Sequence, residues 1–531
     1  MRTLMVFLIS LGVAMAQHHP APAPEKPVVL YKGLGAWRHP ISTRSPEAQK
    51  FFDQGLALLY GFNRYESLRS FRKASELDPQ AAMAFWGMAM AQGPYINMDG
   101  DPSYDLKAAC MAVDAGQKFA GAPEHEKAYL KAAATWCGDS KPDAYSTAMH
   151  VLVERYPDDL DAQTIYAESL MIPTRWHWYR ADGTPAEGVR EAERTLEAVL
   201  RRWPDHVGAN HYYIHAVESS PNPERAIQAS LKLMGQVSGM GHLVHMPGHI
   251  WLVLGDWETA VDVNTRAVAA DREYFAATNV TGTYFPYYVH NLDFIRYARS
   301  MQGRKVDAFR AAEAESAGAD PMVQVMPEMA EQIFPVVVFT HVRFADWDYV
   351  LKLPQPADKL KVSTAVWHFA RALAFAARND RTSAAQERDA FESLRKTLPA
   401  DSHWGQNTTA DVFQMASEVL AARTASAPAE SVEHWQRAVS LQDALTYDEP
   451  PAWYYPLRES LGAALLRAGQ PAEAEKAFRD GVKRSPRNGR MLFGLMESLK
   501  AQGKTEAAET VKREFDANWA KADVKLRLED L

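Results

Sequence analysis

One spacing constrains this chain more than any other. Two stretches, opening at Val207 and Gly241, begin thirty-four residues apart, and the second carries Gly248, Ala260 and Ala267 at its positions 8, 20 and 27. The same register returns near both ends. From Ala48 it places Gly55, Ser67, Phe71, Ala74 and Pro79 at positions 8, 20, 24, 27 and 32. From Tyr455 it places Gly462, Ala474, Phe478 and Pro486 at 8, 20, 24 and 32; from Gly489 it puts Gly503 in the turn and Ala508 at 20. Ala226 holds position 20 of the unit from Val207, and a unit from Val289 has Gly303 in its turn and Ala308 at 20. Weaker units open at Leu160, Glu331 and Ala365. Small residues where two helices would cross, with Pro after the second, describe a stack of helix pairs. Each such helix is amphipathic and cannot bury its apolar face alone, so its neighbours must complete the core.

This register resembles that of tetratricopeptide repeats. The fold class it predicts is all-α, a tetratricopeptide-like helical-repeat solenoid. We divide the chain into N-terminal repeats over 48–159, central repeats over 160–330, divergent helical repeats over 331–450 and C-terminal repeats over 451–531. Three segments interrupt the helices: Gly93–Gly100, Trp176–Arg180 before a Gly183-Thr184-Pro185 turn, and Thr278–Tyr288. Insertions in solenoids map to loops, often on the binding face.

The start of the chain reads as an export signal over 1–16. Arg2 precedes an apolar run from Leu4 to Val13, and Ala14-Met15-Ala16 matches a small-x-small cleavage site. Cleavage would leave Gln17-His18-His19 at the new N-terminus, a sequence able to chelate Cu(II) or Ni(II) or simply to open a flexible leader over 17–47 through Pro20, Pro22 and Pro24. A periplasmic or secreted location is expected, with no membrane span after cleavage. The net charge of −8 gives no support for a nucleic-acid partner. Cys110 and Cys137 flank a turn at Gly121-Ala122-Pro123, where antiparallel helices could bring them together as a disulfide.

The chemistry-bearing residues crowd into the central units. His211, His215 and Glu218 stand at i, i+4 and i+7; His242, His245 and His249 stand at i, i+3 and i+7; His290 and Asp293 follow. Each set lies on one side of a helix, close enough to converge on one ion. In the tetratricopeptide register, positions 2, 5, 9, 12 and 13 of a unit's first helix line the concave groove. The units from Val207, Gly241 and Val289 offer fifteen such positions and six hold His, where 17 His in 531 residues predict fewer than one. Adjacent packed helices are about 8–10 Å apart, so the ligands could share one site or build two neighbouring ones. Glu168 falls at a groove position of the preceding unit, a candidate partner behind the ligands alongside Asp293. Pro247-Gly248 requires the helix to start near Met246 or to bend there. Ligation by His and carboxylate suits Zn, Fe or Cu; Met240 and Met246 would favour copper if they faced inward.

Other strings bear on function by exclusion. His125-Glu126 is followed by Lys127-Ala128-Tyr129, so no H-E-x-x-H forms, and no G-x-S-x-G elbow, Walker A loop or C-x-x-C occurs. Trp367-His368-Phe369 puts His368 in a packing position. Asp448-Glu449-Pro450-Pro451-Ala452-Trp453-Tyr454-Tyr455-Pro456 reads as a packed connector, with a place in the groove as the alternative.

The strings H-Y-Y-I-H-A-V-E from His211, H-M-P-G-H-I from His245 and D-E-P-P-A-W-Y-Y-P from Asp448 resemble those of a group of bacterial exported tetratricopeptide-repeat proteins, over nearly the whole chain. The resemblance implies the fold and leaves activity open, because no biochemical function is settled for that group. Three functions are compatible with these residues: a groove that binds a metal ion or a metal-dependent ligand, a metal-dependent hydrolase or oxidoreductase using that groove, and a metal-free scaffold docking a protein or peptide there.

Overall fold

The computed structural model describes residues 26–531 except 99–100, 102, 139–142, 281–283 and 325. The expected export signal and the Gln17-His18-His19 start lie outside the described residues. From Pro46 onward the chain runs helix after helix, antiparallel in pairs: Pro46–Tyr60 with Arg64–Leu77, Phe285–Met301 with Lys305–Gly318, Arg458–Arg467 with Pro471–Arg484, Gly489–Ala501 with Thr505–Trp519. A short antiparallel ribbon, His403–Trp404 with Asn407–Thr408, interrupts them. Among the described residues no helix is long and apolar enough to cross a membrane.

The repeat positions have a direct steric meaning. A Cβ added at Gly55 would lie 2.7 Å from the Phe71 ring, and one at Gly462 would lie 2.4 Å from the Phe478 ring. Position 8 is therefore small because position 24 of the same unit fills it. Both phenylalanines are fully buried, each contributing about 1.5–3 kcal/mol. The next unit's first helix closes the same contact through Gly494, which also abuts Phe478. Caps fix where helices begin: Ser45 accepts from Ala48 N with Pro46 just inside the helix, and Asn488 accepts from Arg490 N and Met491 N. Gly255 turns between the two helices of its unit at φ +71°, and a side chain there would strike the Pro486 carbonyl at 2.0 Å.

The buried apolar residues form two main clusters, one running from Leu34 to Ala267 and one from Leu252 to Leu531. They meet at the helix Pro247–Val253, where Ile250 belongs to the first and Leu252 to the second. Cys110 and Cys137 are joined by a disulfide across the turn that they flank, with Cα atoms 5.7 Å apart.

Two expectations change here. Residues 26–47 are not a loose leader. Tyr31 donates to Glu66 at 2.9 Å, Trp37 Nε1 donates to Asp161 at 2.8 Å, and the His39 ring lies 2.8 Å from the same carboxylate. His368, assigned to the core, is half-buried and reaches Glu387 at 2.6 Å, because Arg371 and Glu387 make a polar seam on that side of its helix.

Candidate metal centre

Three first helices carry the histidines. Val207–Glu218 holds His211, His215 and Glu218; Phe285–Met301 holds His290 and Asp293. Between them the chain runs as Gly241–His245 and then Pro247–Val253, with Met246 itself at φ −48°, ψ −39°. Pro247 thus begins a second segment without leaving helical geometry, and His249 N bonds three residues back to Met246 O at 3.2 Å. The tightened turn carries His249 round toward His245.

These helices bring the six predicted histidine ligands together as two trios, with Glu218 between them. In one, single donor atoms of His211, His215 and His242 lie within 4.8 Å of one another; in the other, those of His245, His249 and His290 do. Glu218 stands between them, one oxygen 2.8 Å from His215 Nδ1 and the other on His249 Nδ1. Glu449 joins from the far side, its Oε1 2.8 Å from His249 Nδ1.

Hydrogen bonds assign the tautomers. A carbonyl or carboxylate oxygen only accepts, so the nitrogen facing it carries the proton. His211 Nδ1 donates to the Tyr60 carbonyl at 2.5 Å, and His215 and His249 donate through Nδ1 to Glu218. His245 Nδ1 donates to Asn264 Oδ1 at 2.6 Å; the amide is oriented by its own Nδ2, which donates to Ala260 O at 2.8 Å. Gly248 makes room for that amide, since a Cβ there would meet Asn264 Nδ2 at 2.6 Å. With the proton on Nδ1, His211, His215 and His245 each turn Nε2 to the interior. His215 Nε2 is buried with no hydrogen-bond partner, and so is His242 Nδ1.

The inward nitrogens crowd one another. His245 Nε2 lies 2.5 Å from His249 Nε2, and His211 Nε2 lies 3.2 Å from His242 Nε2. Each contact is met either by one proton, on His242 Nε2 toward His211 and on His249 Nε2 toward His245, or by a metal ion that takes that proton's place. A tetrahedral ion with bonds of about 2.0–2.1 Å sets its ligand nitrogens ~3.3 Å apart, close to the His211–His242 separation. Burial, and then the neighbouring imidazoles, hold His211, His242 and His245 well below the ordinary histidine range; burial drives His290 down to about 3. These rings are neutral at pH 7, the form that binds metals. Burial also opposes charge on His249, but the Glu449 and Glu218 carboxylates outweigh it and hold this ring up at about 10. Burial would raise Glu218; His249 and His215 instead pull it down to about 2.

Aromatic rings wall the centre. Phe62 packs on His211, His215 and His242 with ring centroids 4.5–5.9 Å away, and Phe294 packs on His245, His249 and His290 at 4.6–5.2 Å. Tyr287 covers His242 at 4.7 Å, and Trp178 lies 5.9 Å from His215. The open concave groove expected around these residues is therefore filled. Its insertions fold inward, and His211, His215, Glu218, His242, His245 and His249 are all buried.

Two expected partners lie elsewhere. Glu168 is near Ile96 N (3.5 Å), within reach of Arg64 and Tyr212, and Asp293 is paired with Arg296. Arg64 acts on Glu168 through space, and Arg296 holds Asp293. Met240 packs its sulfur against Gly61, where a Cβ would lie 2.7 Å away. Two contributors were missed. Glu449 had a visible signal in its acidic-aromatic string; Asn264 had none, since nothing in the sequence pairs it with His245. A further acidic group, His39 with Asp159 and Asp161, has its atoms already engaged: Asp161 by Trp37, His39, Tyr60 and His206, Asp159 by His125, Tyr129 and Ala162 N. It pins residues 37–39 to the solenoid.

No protein-family model matches the chain. An uncharacterised protein of Aquifex aeolicus (strain VF5) is 39% identical over 61 residues, 11% of this chain, which spans 8% of that relative's length. Among solved structures the chain is similar to the human IFIT1 dimer with m7Gppp-AAAA at 12% identity, covering 91% of this chain and 92% of that one with a TM-score of 0.34. It is similar to yeast Tom70 at 11% identity, covering 88% and 90% with a TM-score of 0.28. The APC/C hetero-tetramer Cut9–Hcn1 gives 10% identity, 92% and 96% coverage and a TM-score of 0.30.

Proposed function

We propose that this chain is an exported helical-repeat protein, periplasmic or secreted, whose function is to hold transition-metal ions, one in each histidine trio. The observation that carries this reading is the set of Nδ1–H groups anchored on Tyr60 O, Glu218 and Asn264, which leaves Nε2 nitrogens converging in a buried, aromatic-walled space. Oxygen acceptors behind metal-bound histidines orient the rings and raise their basicity. Imidazole suits zinc, copper and iron alike, and zinc serves as the probe in the test below. A peptide docked on these histidines would have to displace Phe62, Tyr287 and Glu449, which counts against a metal-free docking groove here. Each trio leaves a fourth position at a tetrahedral ion, so a hydrolytic or oxidative role would use the same centre.

The test is metal content. Untagged protein, incubated with zinc and desalted, is expected to carry two ions per chain by elemental mass spectrometry, and His215→Ala with His249→Ala to carry none. Substoichiometric metal in the parent, unchanged in the double variant, would overturn the reading.

A further inference from the structure

Glu449 comes from a part of the chain that otherwise belongs to the second hydrophobic cluster. Its neighbour Asp448 accepts from Gln406 N at 3.0 Å. Trp453 and Tyr454 pack on Phe339 at 5.6 and 4.8 Å, and Gln442 Nε2 donates to the Tyr455 carbonyl at 3.1 Å. Within this segment, the Glu449 side chain alone is seen to cross to the histidines, and Tyr447 donates to its other oxygen at 2.6 Å.

That crossing is unsatisfied as it stands. Glu218 and Glu449 both approach His249 Nδ1, which has one proton to give. Glu218 takes the hydrogen bond. Glu449 Oε1, in a side chain almost wholly buried, is left without one. Two carboxylates meeting at one donor repel each other, and a buried acceptor without a donor is costly. A divalent cation on His249 Nε2 changes both terms. It displaces the proton that His249 otherwise carries on Nε2, replaces one positive charge by two across a single ring from both carboxylates, and keeps the Nδ1–H that they share. An ion in the His245–His249–His290 trio thus favours the docked Glu449, and a docked Glu449 must favour the ion by the same factor.

We propose that metal loading locks the connector 445–456 onto the metal centre through Glu449, so that occupancy of the ion site is read in the order of that connector. This inference rests on the metal-binding reading above and adds a regulatory consequence to it. Glu449 acts as a positioning residue, working through His249.

The experiment is hydrogen exchange on the untagged full chain, with and without zinc, alongside metal analysis of the same samples. Zinc is expected to slow exchange in 445–456 by about 5- to 150-fold, the span of ordinary coupling between sites, while the helix Thr505–Trp519 changes little. Glu449→Gln should abolish that local slowing and weaken zinc at one of the two sites about 10- to 100-fold; Tyr447→Phe, a milder change, should reduce both effects in part. Two bound zinc ions with unchanged exchange in 445–456 would overturn the coupling and leave the metal reading standing. Equal slowing across Thr505–Trp519 would overturn it too, as general stabilisation. Absence of bound zinc would overturn both.

Discussion

At the scale of single residues, orientation matters more than proximity. Six histidines in one region would mean little if their nitrogens faced carbonyls at random. Here Tyr60 O, Glu218 and Asn264 each take an Nδ1–H and turn the opposite nitrogen inward. Glu218 serves one histidine of each trio, so Glu218→Gln is expected to weaken both sites by about 10- to 100-fold, whereas His290→Ala should weaken one; competition against a chromophoric chelator reads the two steps separately. Glu168 gives a second residue-scale prediction, independent of metal. Burial raises its carboxyl from 4.5 to about 7, against the pull of Arg64. The folded chain therefore keeps a proton that the unfolded chain releases near pH 4.5, and stability falls as pH rises from about 4.5 to 7, by roughly 3 kcal/mol. Glu168→Gln should remove that part of the slope in denaturant titrations run across this range. The sequence revealed His211, His215, Glu218, His242, His245, His249 and His290 because helical spacing and repeat register are both periodic. For Glu168 and Asp293 it gave only the face of the helix; the partners these carboxylates meet, Arg64 and Arg296, lie outside what periodicity can say.

At the scale of helices, the units from Ala48 and Tyr455 share one contact, a glycine of the first helix under a phenylalanine of the second, and in the unit from Gly241 Asn264 takes the phenylalanine's place over Gly248. Gly462→Ala puts a methyl 2.4 Å from the Phe478 ring and should cost about 1–3 kcal/mol by overpacking, read as a lower urea midpoint. Phe478→Ala would leave a cavity instead, at about 3–5 kcal/mol. Such contacts were legible in the sequence because both partners lie within one unit. The course of the chain at Pro247 was legible only as a choice between a helix start and a bend; the structure combines them, with Met246 closing one segment and opening the next. The Asp448–Pro456 string was visible as unusual, yet nothing local assigns Glu449 to His249, two hundred residues away. Contacts of that range depend on how the units stack, which the repeat register alone does not determine.

Across the whole molecule, the stacking turns an expected groove into an enclosed chamber. The helix Val207–Glu218 packs against Pro46–Tyr60, and Gly208 lies so near Tyr60 that a Cβ would sit 2.5 Å from its ring. Insertions at Tyr95–Asn97, Trp176–Trp178 and Tyr284–Tyr287 then cover the inner face, which removes water and strengthens the interaction of an ion with its ligands. The central claim is that this chamber coordinates metal through imidazole nitrogen. X-ray absorption at the metal edge of zinc-loaded, untagged protein tests it most directly. The account predicts about three imidazole nitrogens per ion at ~2.0–2.1 Å, with the outer-ring scattering that histidine produces. A shell of five or six oxygens, or zinc that washes away before measurement, would contradict it.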